Sequence, residues 1–324
     1  MSRRTVRVVA LRWEAQGVAS LRLRSTDGAP LPEWAPGAHI DLILPSGLVR
    51  QYSLCGAPDA AEYTVAVLRE QDGRGGSAEI HSTALLGREL RIAGPRNRFE
   101  LEDAGRYVFV AGGIGITPLL AMIRAVAARG LPWELHYGGR AADTLAFTAD
   151  LAELAELSGG RVHIHLQDRD GPLPLRDIVT GAAEDAILYA CGPGGMLTAL
   201  EESVRSARPQ LPLRFERFTP DPVAPSADDG AHGADAGSFE VELVQSGGSV
   251  TVQSGQSILD AVRDRCPDVM SSCEEGFCGT CETKVIEGEP VHRDTILSAK
   301  ERARNTSMMI CVGGCASARL VLDL

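Results

Sequence analysis

The chain has 324 residues, of which 44% are hydrophobic and 23% charged, the balance of an ordinary soluble protein with room for two or three separate cores. Its net charge of −11 disfavours nucleic acid or an anionic membrane as a partner. The charge is uneven: residues 1–218 carry 26 acids against 24 bases, residues 219–237 add −4, and residues 238–324 carry 13 acids against 8 bases.

The first hundred residues alternate apolar and polar, as in Val6–Ala10 and Tyr63–Val67, with turns such as Pro45-Ser46-Gly47 between the runs. Short strands at this spacing predict an antiparallel β-barrel. Arg50-Gln51-Tyr52-Ser53 ends one of these strands, and Gly73-Arg74-Gly75-Gly76-Ser77 follows some 20 residues later, ahead of a helical Ala78–Leu85. Backbone N–H groups at such a helix start suit a phosphate, with Ser77 available to cap the helix and contact the ligand. The plain alternatives are a strand with one exposed Arg and a glycine-rich hairpin loop.

From Tyr107 the rhythm becomes strand, helix, strand. Tyr107–Val110 reads as a buried strand, and Leu119, Met122, Ile123 and Val126 recur at helical spacing. Thr117 is placed as the N-cap, Pro118 at the first helical position and Gly130 past the end. The apolar run Tyr107–Ile123 is broken by Gly112, Gly113, Gly115 and Pro118, which argues against a membrane span. Strands at Trp133–Tyr137, Arg161–Leu166 and Ala186–Ala190 complete an α/β domain with a mostly parallel sheet. Gly113-Ile114-Gly115-Ile116-Thr117-Pro118 lets a pyrophosphate approach the backbone, but Pro118 replaces the third glycine of the dehydrogenase fingerprint. No acid closes the second strand, which runs into Gly138-Gly139-Arg140. Cys191-Gly192-Pro193 follows a later strand and opens a helix; taken alone, Cys191 reads as a buried strand residue. His39, His81, His136, His163 and His165 show no spacing that suggests metal or acid–base chemistry, and are read as structural or surface residues.

Residues 219–237 are rich in Pro, Ala, Asp and Gly and read as a linker, able to span roughly 25 Å. A small unit follows, with strands at Phe239–Val244, Ser249–Val252 and Arg319–Leu322 and a helix near Ile258–Arg265. Five of the eight cysteines fall in the last 52 residues. Met1–Ala10 lacks a signal-peptide core, so a cytoplasmic location is expected, and there clustered cysteines favour metal over disulfides. Cys273, Cys278 and Cys281 form C-x4-C-x2-C, and Cys311 follows after 29 more residues. Four thiolates can bind two bridged irons, and Gly276 and Gly279 permit backbone N–H groups to turn towards the sulfurs. A zinc site more often pairs two C-x2-C hairpins.

This cysteine loop resembles plant-type ferredoxins, a β-grasp fold with a [2Fe–2S] cluster. Their spacing implies Cys273, Cys278, Cys281 and Cys311 as ligands, leaving Cys266 and Cys315 as spectators. The Arg50–Ser53 and Gly73–Ser77 pair resembles the flavin domain of the ferredoxin-reductase superfamily. That resemblance implies that Arg50 neutralises the flavin phosphate, Tyr52 packs on the flavin and Ser53 hydrogen-bonds near N5. Gln51, Val67, Leu68, Arg69, Arg74, Gly75, Gly76 and Ser77 would complete the pocket, and Phe218 matches an aromatic beside the flavin. For the nucleotide it implies Gly112, Gly113, Gly115 and Thr117 at one loop and Cys191, Gly192 and Pro193 beside the nicotinamide, with Cys191 near the reacting carbon. Ser53 and Cys191 are thus the candidate catalytic positions, although hydride transfer requires no nucleophile. Across its whole length the chain resembles the phthalate dioxygenase reductase family, which implies an FMN barrel at residues 1–102, an NAD domain at 103–218, a linker at 219–237 and a ferredoxin at 238–324. The family implies FMN, NADH and [2Fe–2S] as cofactors. Its implied partner is an oxygenase with a Rieske centre and mononuclear iron. Electrons would pass from NADH to FMN to the cluster to that oxygenase, since a flavin alone can link a two-electron donor to a one-electron carrier. A reductase of a di-iron monooxygenase or a cytochrome P450 would share these motifs, although the di-iron type usually places its ferredoxin first. A non-enzymatic redox sensor is the other class.

Overall fold

The computed structural model describes residues 3–71, 73–218 and 238–324; the expected linker at 219–237 lies outside them. The chain divides into two compact units, Met1–Phe218 and Thr219–Leu324.

The first unit begins with strands β1 (Arg4–Ala15), β2 (Val18–Ser25), β3 (Ala38–Ile43), β4 (Val49–Ser53), β5 (Tyr63–Leu68) and β6 (Glu89–Asn97), and helix α1 (Gly76–Ser82) sits between β5 and β6. They form an antiparallel sheet in the order β4-β3-β6-β1-β2-β5. A bridge between Leu54 and Val65 joins its two edges, so the sheet closes as a barrel. Alternation places Val6, Val8, Leu21, Leu23, Ile40, Leu42 and Val65 inside, all fully buried.

Next come β7 (Arg106–Gly112), α2 (Ile116–Ala128), β8 (Trp133–Gly139), α3 (Thr148–Ser158), β9 (Arg161–Leu166), α4 (Gln167–Asp170), α5 (Leu175–Gly181), β10 (Ala186–Cys191), α6 (Gly194–Ala207) and β11 (Leu213–Glu216). All four strand pairs are parallel, in the order β11-β10-β7-β8-β9. The chain reverses direction across the sheet between β7 and β10, and ligands of open α/β sheets bind in the crevice at such a point. Thr117 is not the cap of α2. A 3₁₀ turn at Gly113–Gly115 runs directly into the helix, leaving no extended residue for a side-chain cap. Thr117 instead lies buried in the first turn, where its hydroxyl donates to the Ile114 carbonyl at 3.0 Å.

One hydrophobic core joins the barrel to this sheet: Ala15, Val18, Cys55, Ala66 and Phe99 pack with Tyr107, Phe109, Ile116, Leu119 and Tyr189. The connecting segment is pinned as well. The Tyr189 hydroxyl accepts from the Glu102 N–H at 2.7 Å and donates to the Glu100 carbonyl at 3.0 Å, while the Tyr107 hydroxyl donates to the Glu102 carbonyl. Arg124 of α2 donates to the Cys55 carbonyl at 2.5 Å.

The second unit contains β12 (Phe239–Leu243), β13 (Ser249–Val252), α7 (Ile258–Val262), β14 (Glu282–Glu287), β15 (Pro290–Val291), α8 (Ala299–Arg302), β16 (Ser307–Met309), β17 (Gly314–Cys315) and β18 (Arg319–Leu322). Its mixed sheet runs β13-β12-β18-β14-β16, with only β12 and β18 parallel among its pairs. Helix α7 buries Ile258, Leu259 and Val262 against Val241, Leu243, Leu320 and Leu322. It is shorter than the pattern predicts, because the Arg265 N–H turns back to the Val262 carbonyl and tightens the chain. Among the described residues no helix is long and apolar enough to cross a membrane.

His39, on β3, is 6% exposed. Burial, helped by Arg96 and Arg98, holds its imidazole down to about 3. An unfolded His titrates near 6.5, so this residue favours the fold above that pH and opposes it as pH falls towards 3, by about 1.4 kcal/mol per pH unit. Urea unfolding at pH 7 and pH 5 should show a loss about 2 kcal/mol larger for the native chain than for His39→Gln. Equal losses in both proteins would show that His39 is protonated in the fold.

Candidate functional site

Cys273, Cys278, Cys281 and Cys311 are all buried, at 2–7% exposure. Their sulfurs lie together. Cys311 contacts both Cys273 and Cys281, and Cys278 contacts Cys273. For Cys311 the Cys273 neighbour lowers the thiol's pKa, but Cys281 and burial outweigh it and push it up to about 12. Packed thiols without a cation keep their protons, whereas metal ions bind them as thiolates. Backbone donors are already aimed at these sulfurs: Cys273 N–H reaches Cys278 Sγ at 3.4 Å and Glu275 N–H reaches Cys273 Sγ at 3.3 Å. Gly276 takes φ +75°, and a Cβ there would meet Val312 at 2.7 Å. The next loop is secured by buried Asp294, which accepts from the Ile296 and Leu297 N–H groups. Cys315 points elsewhere, 3.0 Å from the Ser317 carbonyl, and Cys266 lies by Ser246 at 3.3 Å. This donor set suits an anionic metal–thiolate cluster.

In the first unit the loops after β7 and β10 touch backbone to backbone. A Cβ on Gly115 would lie 2.2 Å from the Cys191 carbonyl oxygen, and one on Gly192 would lie 2.9 Å from Gly112 Cα. Gly112 likewise has Pro193 Cδ at 2.6 Å from a would-be Cβ. Gly113 faces open space. Gly112, Gly113, Gly115, Cys191, Gly192 and Pro193 therefore form one floor at the crevice between β7 and β10. Cys191 is completely buried, and burial raises its pKa well above the usual thiol value, so it is a neutral thiol. Beyond β8 and β9, the Asp168 N–H donates to the Arg140 carbonyl at 3.1 Å.

The barrel end approaches the same crevice. β5 packs against the turn Gly113–Gly115, and Leu68 and Ile114 both pack against the shared core. Arg50 on β4 donates to the Arg74 carbonyl at 2.5 Å, and its stem fills the space a Cβ on Gly76 would need, at 2.5 Å. Gly75 takes φ +82° at the cap of α1. Ser77 does not cap this helix. Its hydroxyl accepts from the Glu70 N–H at 3.1 Å, because it sits inside the first turn. Gln51 and Tyr52 are half-buried beside Ser53, which is 5% exposed. The Val67 carbonyl accepts from His81 Nε2 at 2.9 Å, and the Arg69 N–H donates to the Gly17 carbonyl at 2.8 Å. Phe218 ends the unit with 36% of its surface exposed.

Residues 241–313 match the 2Fe-2S iron-sulfur cluster binding domain, and residues 109–202 match the oxidoreductase NAD-binding domain. Over 98% of each chain the protein is 42% identical to the toluene-4-sulfonate monooxygenase system reductase subunit of Comamonas testosteroni. The solved phthalate dioxygenase reductase, described as a modular structure for electron transfer from pyridine nucleotides to [2Fe-2S], matches with TM-score 0.70 and 32% identity over 100% of this chain and 98% of its own. The chain belongs to the phthalate dioxygenase reductase family. A solved intact type IV self-sufficient cytochrome P450 monooxygenase also matches, with 40% identity and TM-score 0.83 over 99% of this chain, which spans 41% of that longer protein. As a family member the protein is an oxidoreductase that uses NAD and carries a [2Fe–2S] cluster.

The reductase crevice contains one residue that sequence reasoning passed over. Glu216 pairs with Cys191 across β10 and β11. Although part of the residue reaches solvent, its Oε2 is buried without a hydrogen-bond partner, and burial pushes the carboxyl up to about 8. The only hint in the chain is an acid between Phe215 and Arg217 at a strand end; the register supplies the rest.

The backbone contact gives a direct test. Gly115→Ala must force the two loops apart, at about 1–3 kcal/mol for overpacking, and should weaken NADH binding in parallel. Gly195→Ala, whose Cβ would meet nothing within 4 Å, is the control and should leave both unchanged. Thermal unfolding and NADH titration read the pair. Equal behaviour of the two variants would show that the loops yield freely.

Proposed function

We propose that this chain is the NADH-dependent reductase component of a Rieske-type oxygenase system, with FMN as its flavin. The observation that carries the reading is that one compact unit sets β5 against the Gly113–Gly115 turn, with β4, which carries Arg50–Ser53, packed on β5 and the Cys191 loop as the turn's neighbour. Within this reading residues 1–102 form the flavin domain, 103–218 the nucleotide domain and 238–324 the ferredoxin, in a cytoplasmic protein.

Arg50, Arg74, Gly75, Gly76 and Ser77 would hold the flavin phosphate, and Gln51, Tyr52, Ser53 and Val67–Arg69 would line its ring. Exposed Phe218 offers an aromatic face for stacking. Gly112, Gly113, Gly115 and Thr117 would take the dinucleotide, with Cys191, Gly192 and Pro193 at its nicotinamide end. Cys273, Cys278, Cys281 and Cys311 would hold the cluster. Bound flavin supplies a two-electron acceptor that releases electrons singly, and the cluster a one-electron outlet. The chain itself contributes placement. Cys191, a neutral thiol in the core under this loop, supplies no nucleophile. Ser53 supplies a buried hydroxyl donor, and Glu216 a carboxyl that burial keeps protonated at neutral pH.

Flavin released by denaturation should be FMN by mass spectrometry; FAD would overturn the assignment of the barrel. Cys273→Ser should lose the cluster spectrum yet still bleach its flavin with NADH and reduce ferricyanide. It should fail to reduce a one-electron protein acceptor. Loss of the NADH–flavin reaction in the folded variant would contradict the division of labour between the two units.

The ferredoxin segment carries 13 acids against 8 bases, which favours a basic docking face on the oxygenase. Oxygenase reduction should therefore slow steeply as salt shortens the Debye length to about 3 Å near 1 M, while NADH-to-flavin reduction stays flat. Two flat profiles would reject electrostatic steering. The match to a self-sufficient P450 favours a haem acceptor as the second reading, and it predicts faster reduction of a P450 domain than of a Rieske oxygenase under the same conditions.

A further inference from the structure

On one face of the parallel sheet the character of the side chains changes abruptly from strand to strand. β7 and β10 present Val108, Val110, Leu188 and Ala190, which lie in a core with Ile178, Val179, Leu197 and Leu200 of α5 and α6. The register pairs Val108 with Glu134 and Val110 with His136, and then His136 with His163 and Gly138 with His165. Partners in a parallel ladder share a face, as do alternate residues of one strand. Glu134, His136, His163 and His165 therefore continue the face that is apolar on β7 and β10. Leu135, Tyr137 and Val162 point the other way, into the core under α2 and α3. Glu134 and His136 are half-buried, while His163 is exposed, so the group opens to solvent.

The group brings three donors within the reach of one ion after a small side-chain closure. One donor atom from each of Glu134, His136 and His163 lies within 4.8 Å of the others. The His136 and His163 rings stack at 4.6 Å, with 14° between their planes. His136 Nδ1 lies 3.4 Å from His165 Nε2, a contact that occupies one ring nitrogen and leaves Nε2 free to bind. A ligating imidazole usually has its second nitrogen held in this way, which fixes its tautomer and orientation.

We propose that Glu134, His136 and His163 form a site for a divalent ion of the zinc class on the open face of β8 and β9, with His165 orienting His136. Two imidazoles and one carboxylate are a zinc donor set, with water completing the shell. The site shares no residue with the crevice between β7 and β10 or with the cysteine cluster. Its ion would tie edge strand β9 to β8.

The test uses protein complete in flavin and iron, checked by its visible spectrum, and equilibrated with zinc over a chelator-buffered series before metal analysis. The native chain should bind one zinc in addition to its iron and unfold at a higher temperature with zinc than without. Exposed His163→Ala and the isosteric Glu134→Gln should each lose at least tenfold in zinc affinity and most of the thermal shift, with flavin and cluster spectra unchanged. His165→Phe should weaken binding about 10–100-fold, as loss of an orienting partner does. No zinc bound by the native chain would overturn the proposal. So would one zinc bound equally well by both ligand variants, which would place it elsewhere on the chain.

Discussion

The tightest constraint in the first unit is that two backbones must meet with no side chain between them. The loops after β7 and β10 approach so closely that Gly112, Gly115 and Gly192 each lack room for a Cβ. Neighbouring parallel strands bring the loops side by side, and the reversal of strand order opens a crevice above them. The other features of the proposed nucleotide site lie around this floor. Cys191 is buried because its strand is central, and Glu216 is held beside it because β11 pairs in register with β10. The barrel can bring β5 to the same place only because its residues share a core with the sheet.

Electrostatics differ sharply between the interior and the surface of this reductase. Inside, burial dominates: His39 and His136 are held neutral, Cys191 keeps its proton, and the Glu216 carboxyl is pushed up to about 8. Outside, the paired ions are mostly exposed, such as Arg7 with Glu89 at 2.7 Å, and contribute little to stability. The excess of acid in the ferredoxin segment is the basis of the proposed long-range encounter with a basic partner.

Much of the candidate site was legible in the chain because its demands are local. The C-x4-C-x2-C spacing, the glycines of Gly112–Gly115 and the Cys191-Gly192-Pro193 run each place a chemical requirement within a few residues. Strand alternation likewise announced the barrel, and helical periodicity announced α2. Two local readings failed for a local reason as well. Thr117 and Ser77 both sit inside a first helical turn, since the residue before each helix is a glycine that caps through its backbone.

The sequence by itself determined which residues can do chemistry: four cysteines able to hold irons, glycines able to admit a phosphate, and an acidic C-terminal segment suited to a basic partner. Only the tertiary structure decided which distant residues act together. His136 and His163 are neighbours because β8 and β9 pair in parallel, across a helix that separates them in the chain. Glu216 meets Cys191 for the same reason, and Cys311 rather than Cys315 turns to the cysteine loop because β17 aims Cys315 at Ser317. A strand's own pattern states which face each side chain takes, but its register against a partner is set by packing of the whole sheet. That register cannot be read from either strand alone.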